Sequence, residues 1–125
     1  FRFLYKPGLI YEHLDVNLDT PMLADRRVRQ ALISGLDRAQ IIQRLFEDRQ
    51  VLAHTGVNPL DWVHDNNVRQ WPFDLARARA LLDEAGWRPG PDGIRRNAAG
   101  ERMTIELMTT AGNRAREAVQ QVIQG

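Results

Sequence analysis

Three histidines, His13, His54 and His64, are the first residues to test for chemistry. Their spacing matches neither HxxxH nor HExxH, the patterns that set two imidazoles on one helix face around a metal. Asp61, His64 and Asp65 form a loose cluster better explained as loop surface. Ser34 is the one serine. It sits in ISGLD on an expected helix, outside any G-x-S-x-G elbow, so a nucleophilic triad has no foundation. The carboxylate pairs Glu47-Asp48 and Asp83-Glu84 are adjacent in sequence. Neighbours on a helix point in different directions and cannot flank one bond. Gly90-Pro91-Asp92-Gly93 lacks the spacing of a phosphate loop. No catalytic residues, metal or cofactor are expected, and the chain does not read as an enzyme.

Binding chemistry is the remaining option. Arg26, Arg27 and Arg29 crowd the first turn of a helix, where an anion is also favoured. Surface charge, with Arg29 pairing to a carboxylate or to backbone carbonyls, is the simpler reading. A net charge of +1 gives no wide positive field, so nucleic acid is not an expected partner. Trp62, Trp71 and Trp87 can line a pocket. A tryptophan just after a helix end, as Trp87 is, more often covers that helix. For Trp62 and Trp71, packing as core or lid stands beside ligand contact.

The elements that would hold these residues are clearer. Leu23 to Phe46 reads as two consecutive helices. Asp25 and Asp37 open them, because a carboxylate there accepts from unpaired helical N–H groups. Val28, Ala31, Leu32 and Leu36 make one apolar stripe; Ile41, Ile42, Leu45 and Phe46 make the next. Asp74 opens a third helix with the stripe Leu75, Ala78, Leu81, Leu82 and Ala85, closed by Gly86. Asn113 opens a fourth with Ala115, Ala118, Val119, Val122 and Ile123. Gly35, near the first junction, suits a left-handed residue or close packing.

Strand signals are shorter. Phe1 to Tyr5 is β-prone and ends in a Lys6-Pro7-Gly8 turn. From Tyr11 to Leu18 the chain alternates. Leu14, Val16 and Leu18 fall on one face, and Tyr11, His13, Asp15 and Asn17 on the other, the pattern of a half-buried strand. Ile94–Arg96 and Met103–Met108 predict a hairpin with Asn97–Gly100 as its turn. Asn58 to Pro72 has no period and reads as a long loop, a feature often functional inside a compact domain. The order predicts an α/β or mixed α+β layer structure, a small β-sheet packed by about four amphipathic helices, over a single domain spanning 1–125.

The chain has no cysteine, which excludes disulfides and thiolate sites. No run reaches the roughly 18 apolar residues of a membrane span. It begins at Phe1 without a leader, and the fourth helix stops at Gly125 without a turn, so a mature or excised piece is expected.

Several segments in order carry a resemblance. They are Val16-Asn17-Leu18, Pro21, Ala24-Asp25-Arg26-Arg27-Val28-Arg29-Gln30-Ala31-Leu32, Leu36-Asp37-Arg38 and Ile41-Ile42. Phe73-Asp74-Leu75-Ala76-Arg77-Ala78, Leu81-Leu82, Ala85-Gly86-Trp87, Asp92-Gly93-Ile94, Gly100 and Met103 to Leu107 follow. The block D-x-R-V-R-Q-A-L followed by A-x-x-L-L-x-E-A-G-W is the most specific part. Together they resemble the extracellular solute-binding proteins of peptide- and nickel-type ABC importers, the oligopeptide- and dipeptide-binding group. The resemblance implies two α/β lobes joined by hinge strands with the ligand between them, and this chain as a fragment of the second, C-terminal lobe. It implies capture of a peptide or similar small solute in the periplasm or at the cell surface, for delivery to a membrane permease. Membrane contact would come through the permease or a lipid anchor. Nickel chelates, sugars and opines stay open as ligands, and a ligand-sensing lobe of a transcriptional regulator is the alternative. Near the expected hinge, the polar face Tyr11, His13, Asp15 and Asn17 is the candidate ligand contact, with Asp15 able to meet a ligand amine. Solvent exposure or lobe–lobe hydrogen bonding is the competing explanation for that face.

Overall fold

The computed structural model describes residues 4, 6 and 8–125. The expected strand over Phe1–Tyr5 and the turn at Pro7 lie largely outside the described residues. The described elements are α1 (Pro21–Ala24), α2 (Arg26–Gly35), α3 (Arg38–Phe46), α4 (Leu75–Glu84), β1 (Arg88–Pro89), β2 (Arg95–Arg96) and α5 (Arg114–Gln124). This is the expected mixture of helices with a small sheet.

All four expected helix caps are present. Asp25 accepts from the Arg27 N–H at 2.8 Å, Asp37 from Gln40 at 2.9 Å, Asp74 from Arg77 at 2.8 Å and Asn113 from Arg116 at 3.2 Å. Asp25 has extended backbone angles, so it ends the single turn of α1 as it begins α2. Gly86 takes the left-handed conformation (φ 88°) and completes a Schellman closure of α4: the Gly86 N–H donates to Asp83 O and the Trp87 N–H to Leu82 O. α3 ends differently. Glu47 and Asp48 are both left-handed without being glycine, a conformation that costs of order 1–2 kcal/mol per residue.

The best-packed part is the pairing of α2 with α4. Val28 and Leu81 are fully buried, with Ala31, Ala78 and Ser34 nearly so. The helices run antiparallel, and each end is stitched. The Asp74 N–H donates to Ser34 O at 2.8 Å, and the Arg27 guanidinium donates to Glu84 O at 2.6 Å. Small residues set the spacing, since a Cβ placed on Gly35 would stand 3.7 Å from the Ala78 Cβ. Gly35 is therefore a close-packing glycine, not a left-handed one. α3 and α5 meet, with the α3 stripe half-buried; of the α5 stripe Ala118, Val119 and Ile123 are half-buried, while Ala115 and Val122 stay exposed.

The sheet departs from expectation in two places. β2 pairs antiparallel with β1, Arg88 opposite Arg96 and Pro89 opposite Arg95, around a turn at Gly90–Ile94. A Cβ at Gly90 would lie 2.8 Å from Ile94 O, so only glycine fits that turn. The Asn97–Gly100 turn forms as expected, but beyond the single bridge Arg96–Arg102 and one bond from the Met103 N–H to Arg95 O the strand over Met103–Met108 is not built. Residues 11–18 likewise join no sheet among the described residues, and Leu14, Val16 and Leu18 stay exposed. Alternation prepares a strand, but a ladder needs a neighbour with free N–H and C=O groups in register, and the described residues bring none alongside.

Two outcomes follow from this packing. In the intact protein Leu81→Ala should lower unfolding free energy by about 2–5 kcal/mol in a denaturant titration, because it hollows the α2–α4 contact. The Arg27 guanidinium, hydrogen-bonded to both Asp25 oxygens, holds the Asp25 carboxyl below the ordinary carboxylate range. Its contribution to stability is thus complete above the ordinary value and disappears as pH falls through the depressed one. A carboxyl titration by NMR should show that lowered midpoint in the intact protein, and Arg27→Ala should return it upward.

Candidate functional site

The structure brings three of the four candidate residues together. The Tyr11 and His13 rings stack with centroids 4.9 Å apart and planes 15° from parallel. The His13 Nε2 lies 3.3 Å from Asp15 Oδ2, and the Asp15 side chain is 94% exposed. The row therefore offers an aromatic face, an imidazole edge and a carboxylate open to a cation. Asn17 does not join it. Its Oδ1 accepts from the Asp19 N–H at 3.0 Å, a local turn that leads into α1.

Glu12, of the opposite parity, anchors this segment to α5. Its carboxylate takes a two-pronged guanidinium bond from Arg116, Nε to Oε2 at 2.9 Å and Nη2 to Oε1 at 3.0 Å. A further Arg116 nitrogen donates to Thr110 Oγ1 at 3.0 Å. The Glu12 carboxylate in turn raises the Arg116 guanidinium above its ordinary value. On the other side stands the long loop. Asn58 Nδ2 donates to Gly8 O at 3.0 Å, and a Cβ at Gly56 would stand 3.7 Å from Tyr11 Cε1.

The loop has no helix or strand yet is firmly held. Arg38, from the first turn of α3, donates to Ala53 O at 3.0 Å and Trp71 O at 2.9 Å, closing the loop at its base. His64 bridges Val57 O at 3.0 Å and Asn66 Oδ1 at 3.2 Å, so its ring is a loop staple. The loop encloses a hollow of about 210 Å³ lined by Val51, His54, Val57, His64, Asn66 and Val68 among others. The Arg69 guanidinium lies 4.1 Å over the Trp71 ring. Trp62 points out of the loop and is 93% exposed.

The arginines near α1 also settle. Arg29 pairs with backbone, donating to Leu23 O at 2.8 Å and Ala24 O at 2.7 Å, the open carbonyls at the end of α1. Among the described residues, no three His, Asp or Glu side chains converge as a metal cage would require. No helix among the described residues is long and apolar enough to cross a membrane.

Residues 2–125 match the family described as bacterial extracellular solute-binding proteins, family 5 Middle, and the chain belongs to that family. The oligopeptide-binding protein AppA of Bacillus subtilis is 31% identical over 120 residues, covering 94% of this chain and 22% of that protein. The crystal structure of an oligopeptide-binding protein from Thermus thermophilus, complexed with a pentapeptide, superposes with a TM-score of 0.85 at 40% identity, covering 94% of this chain and 21% of that one. NikZ from Campylobacter jejuni, in complex with Ni(L-His), superposes at 0.82 with 27% identity, covering 87% of this chain and 22% of that one. The chain thus spans about a fifth of the length of the proteins it matches.

Sequence reasoning missed Glu12, Arg116, Arg38 and Asn58. The pair Glu12–Arg116 spans 104 positions, and no local pattern links residues that far apart. Arg38 had a signal, an arginine one residue after a capping aspartate and ahead of a long loop. With Glu12 as the anchor, Glu12→Gln in the intact protein should speed amide hydrogen exchange over 8–18 while leaving the melting temperature nearly unchanged, since exposed ion pairs carry little global stability.

Proposed function

We propose that the chain is part of the second, C-terminal lobe of an ABC-importer solute-binding protein. The protein captures peptides outside the cytoplasmic membrane and hands them to a permease. The observation that carries this reading is the exposed row Tyr11, His13 and Asp15, held by Glu12–Arg116 on one side and by the loop on the other. The matched relatives named for oligopeptide binding support the choice of a peptide.

The chemistry suits that ligand. Asp15 is an unshielded carboxylate beside a ring stack, fitted to a peptide's α-ammonium group. Segment 8–18 keeps backbone groups outside any sheet ladder, and an extended peptide pairs with such groups regardless of its side chains. Closure of a second lobe would add contacts present only in the closed state, and ligand would favour that state by the difference. No bond is made or broken; the work is selective capture and release.

Native mass spectrometry of the full-length protein as purified should reveal a carried peptide. Calorimetry should show Asp15→Asn weakening a free peptide about tenfold or more, the scale of a lost charged hydrogen bond. Acetylating the peptide's amine should produce the same loss, and the two changes should not add. The 125-residue piece alone should bind only weakly. Submicromolar binding by the piece would mean that it holds a complete site and that the lobe assignment is wrong.

A further inference from the structure

Trp62 is exposed on a loop held by hydrogen bonds along its length. Asn58 Oδ1 accepts from the Leu60 N–H at 2.9 Å, and the Asp61 N–H donates back to Asn58 O, so the turn before the indole is fixed from both sides. The His64 N–H closes on Asp61 O, and its ring staples Val57 to Asn66. Arg38 then ties both ends of the loop to α3. Leu60 and Val63 beside Trp62 are also exposed. A tryptophan buries more apolar area than any other side chain and keeps an N–H for a polar neighbour, so a rigid frame that holds one out is built to cover something.

Its location indicates what. The same loop touches the candidate row, through Asn58 to Gly8 and through Gly56 to Tyr11. The row supplies charge and hydrogen bonds, and the loop that meets Tyr11 at Gly56 carries the exposed apolar side chains Leu60, Trp62 and Val63. One ligand needs both: a peptide with a bulky apolar side chain.

We propose that Trp62 is a specificity residue that covers a bulky apolar side chain of the bound peptide. Arg38 is the positioning residue that holds the loop in place to do so. This rests on the peptide-binding reading and deepens it, by adding a preference that the Tyr11–His13–Asp15 row alone does not provide.

The test uses the full-length protein, pentaglycine, and five pentapeptides that each carry one phenylalanine in place of a glycine. In the wild type at least one phenylalanine peptide should bind about tenfold tighter than pentaglycine. Trp62→Ala should remove that advantage while leaving pentaglycine affinity and the melting temperature unchanged, as fits an anchor residue that touches only the ligand. Arg38→Met should remove it as well, and Arg38→Lys should restore part, because a lysine reaches one of the two carbonyls but not both in fork geometry. A blue shift of Trp62 emission on binding, read as wild type minus Trp62→Phe, should accompany only the preferred peptide. Equal loss for all peptides in Trp62→Ala would place the indole against the rest of the protein and overturn the proposal, as would a preserved preference. Wild-type protein that binds none of the six would instead remove the peptide reading itself.

Discussion

The contact between α2 and α4 is the constraint on which the rest depends. It holds the fully buried side chains, and its closeness comes from small residues: Ala31, Ala78 and Gly35 leave no bulk between the two axes. Two helices brought this near also set the open backbone groups of their ends side by side, Ser34 by Asp74 and Arg27 by Glu84, although of these four only Ser34 is buried. The structure answers at both ends, with Asp74 bonding to Ser34 and Arg27 bonding to Glu84. Arg27 also holds Asp25, the cap of its own helix. Starting α2 and docking it on α4 are therefore one arrangement.

Arginine recurs as the device that ties irregular backbone to regular backbone. Arg29 gathers the end of α1, Arg38 closes the long loop, Arg95 reaches Trp87 O and Asp83, and Arg116 joins Thr110 to Glu12. Arg38 and Arg116 spread their bonds over two or three nitrogens of the planar fork, whereas Arg29 and Arg95 each serve two acceptors from one Nη1. Of the arginines that crowd the first turn of α2, Arg27 is taken up by Asp25 and Glu84 O and Arg29 by Leu23 O and Ala24 O. At the candidate row the exposed charge has the opposite sign: the Asp15 carboxylate at the end of an aromatic–imidazole row.

The candidate face and the unbuilt strands have a common origin. Segments 11–18 and 103–108 both carry clean alternation, and both leave apolar side chains such as Leu14, Ile105 and Met108 exposed. Membership of a family whose matched members are about five times longer gives that exposure a natural reading, as surface completed by other parts of a larger fold. The candidate row is correspondingly a face and not a closed pocket. A single wall holds a charge, a ring stack and a loop in register; enclosure needs an opposing wall.

Local sequence made four helices and their N-caps legible, but not the single turn α1 or the left-handed end of α3. Asp25, Asp37, Asp74, Asn113 and Gly86 act within four residues of where they stand, and stripes such as Val28–Ala31 and Ala78–Leu81 repeat every turn, so local physics settles them. Alternation likewise placed Tyr11, His13 and Asp15 on one side, but it could not see that Asn17 would turn toward Asp19. Tertiary structure decided the remainder. β2 pairs with β1 across the glycine-tight turn at Gly90, and the later segment meets it only around Arg96–Arg102 and Met103. Arg27 meets Glu84 across 57 positions, and Arg116 meets Glu12 across 104. Charge and spacing fix what each group requires, but which group satisfies it depends on how distant segments are brought together.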